Sequence, residues 1–299
     1  MLLEELRARG LVSCPPFVAS NAMYLTTMGS HAYGVADTSD PKALPDVDVY
    51  GFCVPPKDMV FPHLRGEIPG FGTPGPRFEQ WQQHHVEDRG AKHDFAVFSI
   101  VRYFDLCMDG NPNMVDSLFT AEELVRHCTA SGRMVRDRRG VFLSRRVWTK
   151  FRGYAYSQLH KMDARAAPVG KRAELVAKHG FDTKYAYHVV RLLDEAEQLL
   201  TSGTMDLRRA AEHCKAVRRG EVPMADIRRW FESKAAALEA ALAASPLPPE
   251  PDEAAAKALL LECLEQHYGS LDAACPQPDR LRGAVRDFLA LADRVRGLA

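Results

Sequence analysis

The stretch that most constrains the fold runs from residue 28 to residue 54. It opens on a Gly29-Ser30 turn, passes through a polar loop and ends in an apolar strand that begins with Asp46 and Asp48. Side chains two apart on a strand share a face, so Asp46 and Asp48 project together while Val47 and Val49 turn into a core. Two carboxylates this close repel unless a cation sits between them, and hard, oxygen-seeking Mg²⁺ or Mn²⁺ suits the pair. Gly29 and Ser30 can turn backbone N–H groups toward a phosphate. A phosphate cradle beside metal-binding carboxylates is the minimal equipment for moving a nucleotidyl group.

The rest of the chain sets the frame for that stretch. Its 299 residues suffice for one large or two modest domains, and 46% are hydrophobic, enough for a sizeable core. Lys and Arg balance Asp and Glu at 39 each. That argues against a strongly basic nucleic-acid coat but leaves room for a local basic groove. The seven cysteines form no Cys-x-x-Cys pair. Cys53 and Cys107 lie in apolar runs and read as buried, reduced thiols of a cytoplasmic protein. The charged, amphipathic N-terminus does not resemble a signal peptide, and no apolar run is long enough to span a membrane.

In order, residues 2–9 suggest a short helix stopped near Gly10. Residues 46–54 form the first strand, and 55–93 read as a long insertion whose Pro and Gly density prevents long helices or central strands. The insertion carries His63, His84, His85 and His93. No spacing among them matches a zinc pattern, so they read as surface or loop histidines. Residues 94–99 read as a second strand with Asp94 at its start, followed by a helix with Ile100, Phe104 and Cys107 on one face and Gly110 at its end. From the residues alone, Asp94 is a helix N-cap. Asn111-Pro112-Asn113 reads as a turn feeding a third strand, with Asn113 either shaping that turn or contacting a base or ribose.

From about residue 120 the pattern turns helical. One or two helices are expected over 121–143, rich in arginine from Arg133 to Arg139. A clear amphipathic helix follows over 147–162, with Trp148, Phe151, Ala155, Leu159 and Met162 inward. Residues 163–173 read as a polar, basic loop. Asp182 or Thr183 can cap a helix ending at Gly203, on which Lys184, His188 and Arg191 share one face. Periodicity alone makes that ridge a solvated basic face. Further helices are expected over 206–219, 224–244, 253–267 and 279–297, with a stiff Pro-rich linker at 245–252.

Five blocks keep one order along the chain: Gly29-Ser30-His31-Ala32-Tyr33-Gly34, Asp46-Val47-Asp48, Asp94, Asn111-Pro112-Asn113 and Asp182-Thr183-Lys184-Tyr185-Ala186-Tyr187-His188. Together they resemble the DNA polymerase β-like nucleotidyltransferase superfamily, in the branch related to the RNA-ligase-associated (RlaP-like) group. The resemblance spans roughly residues 20–270 and departs at one point. The family has an uninterrupted Ser-Asp-x-Asp, whereas here Ser39-Asp40 is followed by residues 41–45 before Asp46. Pro41 blocks regular strand pairing after Asp40, so Asp46 rather than Asp40 is read as the ligand.

The resemblance implies an α+β fold: a small mixed-sheet nucleotidyltransferase palm over residues 1–145, with the 55–93 insertion, then an all-helical C-terminal domain over 146–299. It implies Asp46, Asp48 and Asp94 as catalytic ligands of Mg²⁺ or Mn²⁺. Gly29, Ser30, Lys184, His188 and Arg191 would hold the triphosphate. The implied reaction moves an NMP from a nucleoside triphosphate such as ATP to an acceptor hydroxyl, releasing pyrophosphate. The group's name suggests an RNA end as acceptor. Basic residues at Arg133 to Arg146, Lys150, Lys161, Arg165, Lys171 and Arg172 could follow an RNA backbone or form solvated helix faces. The alternatives are a nucleotide- or RNA-binding module without turnover, and nucleotidylation of a protein or small molecule.

Overall fold

The computed structural model describes residues 2–39, 44–68, 70–162 and 171–270, together with 285, 287–291 and 296. Two short helices, α1 (Leu2–Ala8) and α2 (Pro16–Ser20), lead into β1 (Ala22–Thr27). The Gly29-Ser30 turn winds into a single turn of helix, α3 (Gly29–Ala32), ahead of β2 (Val47–Cys53). After α4 (Lys57–Val60), a hairpin joins β3 (Gln80–Asp88) to β4 (Ala91–Ser99). Helices α5 (Ile100–Met108) and α6 (Pro112–Leu118) precede β5 (Val125–Cys128) and α7 (Ala130–Asp137). The five strands lie in the order β3-β4-β2-β1-β5, and only the β2/β4 pair is parallel.

Alternation along β2 and β4 divides the core in two. Val49, Cys53, Phe95 and Val97 pack on the face covered by Leu3, Leu6 and Val18. Phe52, Ala96 and Phe98 pack on the other, under Ile100, Phe104 and Phe142. Cys53 and Cys107 are buried free thiols, and burial pushes Cys53 up to about 12.

A second cluster gathers α8 (Arg146–Met162), α10 (Thr183–Ser202), α11 (Ala211–Arg218) and α12 (Met224–Ala244). The expected inward stripe of α8, Trp148 to Met162, is buried. Asp182 caps α10, accepting from the N–H groups of Lys184 and Tyr185, and Gly203 closes it at φ +67°. The Pro-rich stretch is pinned along its length: Arg145 donates to the carbonyls of Ser245 and Leu247, and its N–H to that of Pro248. It delivers α13 (Glu253–Tyr268) back to the sheet, where Ala256, Leu259, Cys263 and Leu264 join the cluster of Phe52 and Phe104. Each leucine buried there contributes roughly 1.5–3 kcal/mol.

Four expectations are corrected. The 55–93 stretch is not without strands: its prolines end at Pro76, and residues 80–88 form edge strand β3. The hairpin turns on Arg89 and Gly90, both at positive φ (50° and 82°), the backbone a two-residue turn requires. Asn111-Pro112-Asn113 starts a helix, not a strand. The Asn111 side chain accepts from the Asn113 N–H at 3.1 Å and Pro112 sits in the first turn, where its missing N–H costs nothing. Within 121–143, Val125–Cys128 pairs with β1 as a short edge strand before α7 begins. Residues 171–173 belong to helix α9 (Lys171–His179), not to a loop. Asp40, Pro41, residues 163–170 and most of the helix expected over 279–297 lie outside the described residues.

Candidate active site at the head of two parallel strands

Asp48 and Asp94 stand side by side because β2 and β4 are parallel and pair them in direct register. In-register neighbours point to the same face, so the topology supplies a juxtaposition that a 46-residue separation conceals. Asp46, exposed, lies one residue before β2. Asp94 is inside β4 and not a helix cap; that role belongs to Ser99, whose hydroxyl accepts from the Arg102 N–H at 3.1 Å. The Asp48 carboxyl is pushed up to about 6, first by burial and next by the charge of Asp94, with Asp46 adding to the effect and Lys184 opposing it. Carboxylates that crowd one another while partly buried suit a divalent cation, which would relieve both the burial and the repulsion.

Gly29 fits tightly against this group. Its φ is +63°, and a Cβ there would lie 1.8 Å from Asp48 Oδ2. The Met28 N–H donates to the Asp48 carbonyl at 2.7 Å, tying the turn to the strand. The glycine thus leaves the carboxylate its place, a role the sequence did not reveal. A Gly29→Ala protein should fold, yet bind a divalent cation about 10-fold or more weakly, because the methyl group displaces the Asp48 carboxylate from its position. Circular dichroism and Mn²⁺ titration check the two halves of that expectation.

Histidines 84 and 85, expected as loop residues, belong at the site. The β3/β4 register slips between Gln83 and Val86, and His85 takes a left-handed φ of +56°. This bulge turns both imidazoles toward Asp94, as bulges beside active sites do. His84 Nδ1 lies 3.4 Å from Asp94 Oδ2, and the His85 backbone N–H donates to Asp94 Oδ1 at 2.7 Å. One ligand atom each from Asp46, His85 and Asp94 falls within 4.8 Å of the others. Two adjacent histidines interrupting an alternating strand were the available signal.

The basic ridge on α10 separates into unlike members. Lys184 is exposed, and its charge reaches Asp48. His188 does not offer a cation: burial, then Arg191 and Lys184, hold its imidazole well below the ordinary histidine range. Its Nδ1 accepts from Arg191 Nε at 3.2 Å. Arg191 is itself buried and committed elsewhere. Its Nη1 donates to Asp116 at 2.6 Å and to Glu195 at 2.8 Å, and the guanidinium lies 4.0 Å above the Tyr33 ring. The Tyr33 hydroxyl donates to the same Asp116 oxygen at 3.0 Å. Blocks far apart in sequence meet in this network, which fastens the Gly29-Ser30 turn to α10 behind the carboxylates.

Much of the arginine-rich surface is likewise engaged. Arg133 and Arg136 both donate to Glu122, holding its carboxyl down at about 2. Arg138 pairs with Glu262, Lys150 with Asp109 and Arg172 with Asp182. Arg165 is outside the described residues.

A family model described as the RNA repair pathway DNA polymerase beta family (RlaP) matches residues 11–262. No curated protein matches the chain. Among solved structures, a nucleotidyltransferase-like protein from Exiguobacterium sibiricum aligns over 84% of this chain and 76% of its own, at 9% identity. Its TM-score is 0.28, a superposition too loose to carry an argument.

Proposed function

The chain belongs to the RNA repair pathway DNA polymerase beta family, and we propose that it moves a nucleotidyl group from a nucleoside triphosphate to an acceptor hydroxyl. The observation that carries this reading is the in-register pairing of Asp48 with Asp94, beside Asp46 and against Gly29. Asp46, Asp48 and Asp94 would hold Mg²⁺ or Mn²⁺, which would supply charge neutralisation at the α-phosphate and acidify the acceptor hydroxyl.

The chain's own groups do the rest. Gly29 and Ser30 place the α3 turn beside the carboxylates to receive the β- and γ-phosphates. Lys184 adds a positive charge near Asp48. The acceptor oxygen bonds to the α-phosphorus as the bond to the bridging oxygen breaks; pyrophosphate leaves and the hydroxyl proton passes to Asp94. Arg191 does not meet the triphosphate in this reading; with Asp116, Glu195 and Tyr33 it fixes the turn. Positioning and electrostatics carry most of such a reaction. The family's description, an RNA repair pathway, supports an RNA end as the acceptor.

Incubating the protein with each of the four ribonucleoside triphosphates, Mn²⁺ or Mg²⁺, and RNA bearing free 3′-hydroxyls tests the reading. Pyrophosphate release that stops on chelation is expected. Folded protein that releases none under any of these conditions overturns it.

A further inference from the structure

We infer that His85 is a nitrogen ligand of this same cation site, making it a mixed oxygen–nitrogen centre that favours Mn²⁺ or another first-row transition ion over Mg²⁺. The inference rests on the proposed reading that the carboxylates hold a metal. Asp46, His85 and Asp94 offer ligand atoms within 4.8 Å of one another, the span one ion bridges. His85 is there because of the bulge between Gln83 and Val86, without which strand alternation would carry His84 and His85 to opposite faces. The bulge holds a non-glycine residue at φ +56°, a conformation that is costly unless something retains it. Its backbone N–H fixes the Asp94 carboxylate at 2.7 Å, while the exposed ring remains accessible to an ion. His84, 3.4 Å from the other Asp94 oxygen, orients that carboxylate from the second side.

The chemistry of the set decides the ion. Mg²⁺ demands oxygen ligands in near-octahedral array and retains its waters, whereas imidazole suits transition ions, and Mn²⁺ accepts both donor types. A carboxylate-only site would lack this preference.

The test is pulsed electron paramagnetic resonance of Mn²⁺ bound to the full chain, with affinities from titration of Mn²⁺ and Mg²⁺. Imidazole nitrogen modulation is expected in the wild type and in His84→Ala. It should vanish in His85→Asn, which tolerates the left-handed backbone, and in His85→Ala. Mn²⁺ affinity should fall about tenfold or more in both His85 variants, with Mg²⁺ affinity changed by less than about threefold. Mn²⁺ that binds wild type, is lost in Asp94→Asn, and shows no nitrogen modulation or modulation unchanged in the His85 variants overturns this inference while leaving the carboxylate site standing. Absence of Mn²⁺ binding by folded wild type, with and without triphosphate, overturns both.

Discussion

Asp48→Asn should abolish nucleotidyl transfer and at the same time stabilise the metal-free protein at neutral pH. The loss of rate follows from removing a ligand and a fixed negative charge from the reaction centre, an effect of about 10³-fold or more. The gain in stability follows from the proton balance. Asp48 is pushed up to about 6 in the fold, by burial and then by Asp94, whereas an unfolded aspartate titrates near about 3.9. Between those values the folded chain keeps a proton that the unfolded chain has released. Stability therefore falls as pH rises from about 4 to about 6 and stays at the lower level above it. Asparagine removes that charge and recovers about 3 kcal/mol at pH 7.5, or about 5 °C in melting temperature. The variant's advantage should shrink as pH falls toward 4, where the wild-type carboxyl is protonated. Added Mn²⁺ should raise the melting temperature of the wild type above pH 6 by more than that of the variant, which keeps Asp46, His85 and Asp94. A variant that melts with the wild type across this pH range, or that retains wild-type turnover, would sink the assignment of Asp48.

Arg191→Met should be strongly destabilising. Asp116 and Glu195 are 0% and 1% exposed, and the same guanidinium answers both. Burial already pushes both carboxyls up, Glu195 well above the ordinary range. Removing the cation leaves two buried acids facing each other and costs about 3–5 kcal/mol. Arg191→Lys should recover little of this, since a single ammonium cannot reproduce the planar donor set that reaches Asp116, Glu195 and His188 together. Urea midpoints measure the loss. The triple change Arg191→Met, Asp116→Asn, Glu195→Gln should return part of it, because the penalty lies in the uncompensated charges. Wild-type stability in Arg191→Met combined with lost triphosphate affinity would instead restore Arg191 to a phosphate-binding role.

Both expectations depend on contacts that join distant parts of the chain, and the division of labour between sequence and fold runs along that line. Local pattern was sufficient wherever local physics decides. The 3.6-residue period of Trp148 to Met162, the Gly203 and Gly110 stops and the alternation after Asp46 all appear in the structure where the sequence placed them, and of the two candidate caps Asp182 and Thr183 the structure uses Asp182. The motif order was enough to identify the family, because spacing and residue type survive in one dimension. Turns were harder to read. The two positive-φ residues at Arg89 and Gly90 close β3 and β4 into a hairpin beyond the last proline of the 55–93 stretch, and Asn111 serves a helix as readily as it would a turn.

Only the tertiary structure could decide what each chemical group faces. His84 and His85 carry no ligand spacing, yet a one-residue slip in strand pairing sets them against Asp94. Gly29 reads as a phosphate turn, and the packing shows that it also makes room for a carboxylate. Lys184, His188 and Arg191 share a helical ridge, but burial and partners neutralise one and lock away another, leaving Lys184 with its charge directed at Asp48. The physical reason is common to all three. Charge state and ligand geometry depend on desolvation and on neighbours within a few ångströms, and those neighbours come from strands and helices that the sequence keeps far apart.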